Sequence, residues 1–150
     1  MPSYRNLAQL EQAYKVALAD VINSELIPFI VETWLDYQDE LVYKAYEPKQ
    51  YKRRGRDEGL ADPDNIQVEI NDRDKVREYI LSNVTEGAFG DNLINDIIEG
   101  TGWSYGDWSI GARPYTEITV EDLKRGVSRE TMLDILHKGL RQRGFNIKFK

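Results

Sequence analysis

The sequence predicts an α+β fold, a long N-terminal helix packed on a small antiparallel sheet with further short helices, on three observations. Apolar residues recur at three-and-four spacing through the first forty residues. Two short segments, near 66–70 and 76–84, alternate apolar and polar residues. The last third carries helix start and stop signals followed by a short alternating tail.

Leu7, Leu10, Tyr14, Ala17 or Leu18, Val21 and Glu25 follow the first stripe, with only Glu25 breaking its apolar character, and Asn6 or Ser3 can cap its start. Pro28 removes a backbone donor and crowds the preceding turn, so a kink or break is expected between Ser24 and Ile27. Ile30, Trp34, Tyr37 and Leu41 then continue the stripe, giving two helices or one bent helix over residues 4 to 41. Residues 42 to 64 read as irregular, with part of Val42 to Tyr46 able to pair as a strand.

Ile66, Val68 and Ile70 alternate with Gln67 and Glu69, the pattern of a half-buried strand. Asn71 to Asp74 has turn composition. Val76 to Val84 reads as the returning strand, with Val76, Ile80 and Val84 on one face and Tyr79 and Leu81 on the other, so a hairpin is expected from 65 to 85. Gly87 and Gly90 frame a loop, Asp91 can cap a short helix through Ile98, and Gly100 stands where a left-handed residue is wanted. Thr119, with Asp122 as capping-box partner, is expected to start a helix that Gly126 ends. Ser128 starts the last helix, with Met132, Ile135, Leu136 and Leu140 on its apolar face and Gly144 at its close. Phe145, Ile147 and Phe149 then read as a terminal strand that can join the hairpin.

A chain of 150 residues with 41% hydrophobic residues is the size of a single domain, 1–150, with enough apolar surface for a core. No run of eighteen apolar residues exists, which excludes a membrane span, and the first residues lack the apolar stretch of a signal peptide. The absence of cysteine rules out disulfides, thiolate catalysis and cysteine-based zinc sites. A net charge of −6 argues against a freestanding nucleic-acid binder, because such affinity comes largely from neutralising phosphates.

Candidate sites are few. His137, the one histidine, has no nucleophile or paired carboxylate tied to it by a motif and reads as a helix-surface residue. Asp57, Glu58, Asp62 and Asp64 cluster in one loop but do not follow the spacing of a calcium loop, and the glycines match no phosphate-cradling pattern. No metal or cofactor is therefore expected. Lys49, Lys52, Arg53, Arg54 and Arg56, interleaved with Tyr46 and Tyr51, form the dense basic run. It suits ion pairing with a neighbouring subunit, a plain solvated loop, or contact with DNA phosphates. Trp103, Tyr105 and Trp108 lie among glycines and suit either a folded-back core loop or interface anchors, with Arg113-Pro114-Tyr115 fixing the exit of that loop.

The segment Val42-Tyr43-Lys44-Ala45-Tyr46-Glu47-Pro48-Lys49-Gln50-Tyr51-Lys52-Arg53-Arg54 follows the helical pattern and precedes Gly59-Leu60-Ala61-Asp62 and a strand. Together with Ala112-Arg113-Pro114-Tyr115, a helix and a terminal basic segment, it resembles the minor tail-component and neck proteins of tailed bacteriophages. The resemblance implies assembly without catalysis: a structural virion protein at the head–tail junction, put together in the host cytoplasm as a homo-oligomeric neck or tail-completion ring. Implied partners are the connector or head-completion protein on one side and the tail-tube or tail-terminator protein on the other. DNA would pass the channel without specific binding. Loops 47–64 and 101–115 would make the contacts, through Tyr46, Tyr51, Lys52, Arg53, Arg54, Arg56, Trp103, Tyr105, Trp108, Arg113 and Tyr115. A tail terminator or head-closure subunit is the near alternative. A metal-dependent nuclease using Asp57, Asp62, Asp64 and Glu69, and a small monomeric binding protein, are alternatives of other classes.

Overall fold

The computed structural model describes residues 4–45, 56–73, 76–86, 93–100 and 111–147. These residues form an α+β protein with a helical run from Leu7 to Tyr43, a two-stranded antiparallel sheet and three further helices. The chain divides into two compact units, Met1–Thr33 with Val120–Lys150, and Trp34–Thr119.

The helical run opens at Asn6, whose side chain accepts the Gln9 N–H at 2.9 Å while the Gln9 side chain accepts the Arg5 N–H at 3.0 Å. Helix α1 spans Leu7–Val21 and α2 spans Ile27–Gln38. The kink expected before Pro28 takes a specific form: Ile22–Leu26 is a π-helical turn, closed by the Ile27 N–H on the Ile22 carbonyl. Proline has no N–H and presses on the carbonyl four residues back. A widened turn absorbs one more residue at that point, so the helix passes the proline without breaking. A second π-helical turn, Asp39–Tyr43, ends with Lys44 N–H on the Asp39 carbonyl at 2.9 Å. Val42 and Tyr43, expected to begin a strand, therefore belong to the helix.

In the first unit α1 packs against α5, Val127–Gln142. Val21 and Leu140 are fully buried beside Ala17, and Tyr14, Leu18, Leu136 and Phe145 close around them. The approach depends on Gly139, where a Cβ atom would stand 2.7 and 2.9 Å from the two Val21 methyl carbons. Arg143 fastens the same contact. Its guanidinium meets Asp20 at 2.6 Å and Glu25 at 2.8 Å, and it donates to the Gly139 carbonyl at 3.0 Å. Those two carboxylates, Asp20 foremost, hold the guanidinium above its ordinary pKa.

The C-terminal strand is not formed among the described residues. Gly144 adopts φ 90°, with its N–H on the Arg141 carbonyl at 3.1 Å and the Phe145 N–H on the Leu140 carbonyl at 2.9 Å. This is a Schellman ending, which reverses the chain and turns its next apolar residue back onto the helix pair. Phe145 accordingly meets Tyr14 edge-on at 5.6 Å and stacks on Tyr4 at 6.2 Å. The alternation at 145–147 thus serves helix packing, and among the described residues the sheet has two strands; Phe149 of the expected strand lies outside them.

Helix α3 spans Leu93–Glu99 and ends at Gly100, φ 71°, where the 111–112 backbone comes too near for a side chain. Helix α4, Tyr115–Arg125, starts four residues before Thr119. Pro114 lacks the N–H that a helix start leaves unbonded, and its carbonyl accepts the Ile118 N–H at 3.0 Å, so the helix begins there. Thr119 lies inside the helix and donates to the Tyr115 carbonyl at 2.7 Å, while Asp122 accepts from Ser128.

Enlarging Gly139 tests the close helix approach. Alanine gains about 1 kcal/mol of helix propensity, but an intruding side chain in a filled contact costs about 1–3 kcal/mol. Gly139→Val is expected to lower the denaturant midpoint clearly and Gly139→Ala slightly; an unchanged midpoint for the valine variant would refute the contact.

Candidate interaction site

The second unit is built on an aromatic core. Val42, Leu60 and Tyr115 are buried, with Trp34, Tyr37, Leu41 and Ile97 packed against them. Trp34 Nε1 donates to Thr116 Oγ1 at 3.3 Å. Three of the expected contact residues, Arg56, Arg113 and Tyr115, lie among the described residues. Tyr46, Tyr51, Lys52, Arg53, Arg54, Trp103, Tyr105 and Trp108 lie outside them.

Arg113 is a latch. Its N–H is shared between the Ile97 and Ile98 carbonyls at 3.1 Å, and its guanidinium donates to the Val42 carbonyl at 3.2 Å. One residue thereby satisfies carbonyls at the ends of two helices, the groups a helix C-terminus leaves unbonded. Tyr115, expected at a contact surface, is 0% exposed and serves the core instead. Burial pushes its phenol up to about 12, and nearby Gln38 and Thr116 temper the rise. Neither neighbour meets the hydroxyl with hydrogen-bond geometry, and the Gln38 amide, also 0% exposed, has no hydrogen-bond partner among the described residues either. Arg56 reaches Asp36 at 3.5 Å, with both side chains well exposed, so this pair contributes little to stability.

The acidic loop is organised by backbone capping. Asp62 accepts the Glu58 N–H at 2.7 Å and the Asp64 N–H at 3.0 Å, which holds Glu58 at φ 54° and opens the 3₁₀ turn Pro63–Asn65. Asn65 donates to the Gly59 carbonyl at 2.9 Å, Asn83 to the Leu60 carbonyl at 2.7 Å, and Thr85 to the Gly59 carbonyl at 3.2 Å. Asp62 is thus occupied as a cap, and no group of three His, Asp or Glu side chains placed to hold a metal occurs among the described residues.

These bonds clamp the root of the hairpin. Strand β1, Ile66–Arg73, pairs antiparallel with β2, Val76–Asn83, from Ile66 opposite Asn83 to Arg73 opposite Val76. One face joins Ile66, Val68 and Ile70 to Leu81 and Tyr79, and its tip is closed by Arg77 gripping Asp72 at 2.6 and 2.9 Å. That bidentate bond from Arg77 holds the Asp72 carboxyl below its ordinary range. The other face sets Gln67, Glu69 and Arg73 on β1 against Ser82, Ile80 and Val76 on β2. Val76 is 68% exposed, Val84 42% and Ile80 37%.

The profile of the YomN family matches residues 6–142, nearly the whole chain. The chain belongs to the YomN family. That family is phage-derived, so this is a phage-related protein. No curated protein and no solved structure matches it. The YomN profile spans every helix and strand described above.

The buried polar pair and the hairpin root were missed by pattern reasoning. Gln38 sits within an apolar helix stripe and Asn83 within a strand, and neither position signals its partners. Phenylalanine at 115 removes a hydroxyl without a partner, so Tyr115→Phe is expected to leave the melting temperature unchanged or raise it. The tyrosine's raised pKa stabilises the fold fully below its unfolded value of 10.0. That stabilisation is lost as pH rises toward about 12. Alkaline titration should show one late tyrosine absent from the variant; its persistence would refute the assignment. Asp62→Ala should cost about 1 kcal/mol through lost caps, read as a lower urea midpoint; no change would refute the capping role.

Proposed function

We propose that this YomN-family protein is a structural component of a phage particle, a subunit of the neck or tail-completion ring that acts by assembly and not by catalysis. The observation that carries the reading is membership of a phage-derived family along nearly the full chain. Two features of the molecule support it. Asp62 and Asn65 of the acidic loop, with Thr85 at the hairpin root, use their side chains to fix backbone. The hairpin meanwhile exposes Val68, Ile70, Val76 and Ile80, apolar side chains of the kind that other polypeptide chains cover.

In this reading several copies close a ring, each presenting one patch to a different patch on the next. The ring matches the connector on one side and the tail tube or terminator on the other. The net charge of −6 suits a channel wall past which DNA slides without being held.

Deletion of the gene from a phage that carries it tests the reading. Lysates should contain filled heads and complete tails that fail to join, and gold label on a tagged copy should fall at the neck. Normal yields of joined particles, or label confined to infected-cell extracts, would contradict it.

A further inference from the structure

The outer edge of β2 differs from that of β1. On β2, apolar side chains point to both faces: Tyr79 and Leu81 on one, Val76 and Ile80 on the other. Such two-sided apolarity suits a strand whose two faces are both covered, and among the described residues β2 has a neighbouring strand on one side only. Edge strands that stay free are normally guarded by charge. β1 exposes Val68 and Ile70 but carries Glu69, Asp72 and Arg73 along its length; on β2 the charges Arg77 and Glu78 are confined to the tip, and the stretch from Tyr79 to Asn83 has none, with Ile80 exposed at its centre. A hairpin of two strands is also marginal by itself.

The backbone phase fixes which groups are available. Val84 N–H donates to the Asn65 carbonyl at 2.9 Å, so the alternate residues Ile80 and Ser82 turn their backbone groups toward β1. Those of Arg77, Tyr79, Leu81 and Asn83 face outward.

We infer that β2 of one chain pairs antiparallel with β2 of a second copy, in a register centred on Ile80, making one four-stranded sheet across a two-fold axis. In this register Ile80 opposes Ile80, Tyr79 opposes Leu81 and Val76 opposes Val84, apolar against apolar throughout. Glu78 opposes Ser82 and Arg77 opposes Asn83, so no like charges meet. Centring two residues lower sets Glu78 against Glu78, and pairing β1 with itself about Glu69 does the same with Glu69; both are disfavoured. The charge and apolar pattern of this one strand therefore selects a second copy as its occupant. The contact is isologous, so it is distinct from any head-to-tail ring contact and does not rest on the neck reading.

The chain contains no cysteine, which makes a single-thiol test clean. In the proposed register two copies of Ile80→Cys place their Cα atoms about 4.5 Å apart as a non-hydrogen-bonded pair, within disulfide reach. Mild oxidation of the full-length variant should give a covalent dimer, whereas Glu69→Cys should stay monomeric. Mixing Val76→Cys with Val84→Cys should give the mixed dimer. Light scattering should show the unmodified chain at twice the mass of Ile80→Lys, with equal circular dichroism showing that the lysine variant is folded. A monomeric Ile80→Cys under oxidation, equal cross-linking through Glu69→Cys, or a dimer indifferent to Ile80→Lys would each overturn the inference. So would cross-linking of Ile80→Cys in particles only to a different protein. The neck reading is decided separately, on particle morphology.

Discussion

Two strands can cover neither their own faces nor their own edges, and this incompleteness governs the second unit. The chain holds the hairpin firmly at one end, where Asn83 and Thr85 bond to the carbonyls of Leu60 and Gly59, and at the tip, where Arg77 grips Asp72. On one face of β2, Val76 and Ile80 remain exposed, while Tyr79 and Leu81 on the other are half-buried. Anchoring both ends while leaving the middle open pre-organises an edge, so that a partner strand need not pay to order it.

The helices show a different economy of means. Pro28 is carried through an unbroken helical run by a π-helical turn, and that turn lies where α5 packs. Gly139 lets the backbones approach, and Arg143 reaches from the end of α5 to Asp20 and Glu25 on either side of the π-helical residue Ser24. One guanidinium shared by two carboxylates, and its partial burial, set this cluster apart from the exposed i,i+4 pairs such as Lys15–Glu11, which contribute little.

Much of the fold was legible in the sequence because it is written in periodicity: the α1 stripe, the 66–83 hairpin, and the apolar face of α5 ending near Gly144. The misreadings share one cause, that a local pattern has more than one structural solution. Phe145 and Ile147 alternate like a strand, but a left-handed Gly144 sends them back to the helices. Thr119 resembles a cap, but Pro114 starts the helix earlier. The π-helical turns have no periodic signature, since they depend on which carbonyl each N–H selects. Arg113 and Tyr115 read as contact residues in the sequence, whereas Arg113 bonds to the Val42 carbonyl and Tyr115 is buried beside Gln38, neighbours more than seventy positions away and beyond the reach of spacing arguments. The family's phage origin agrees with the resemblance drawn from residues 42–54 and 112–115, while the neck assignment remains a proposal.

Amide hydrogen exchange across β2 measures the hairpin's incompleteness most directly. In dilute free chain the amides of Val84 and Thr85 should be protected by the root, while those of Tyr79 and Leu81 exchange fast. At concentrations or in particles where copies associate, Tyr79 and Leu81 should become slow. Equal exchange of Tyr79 and Leu81 in dilute and associated protein would contradict the claim that this edge is completed by another chain.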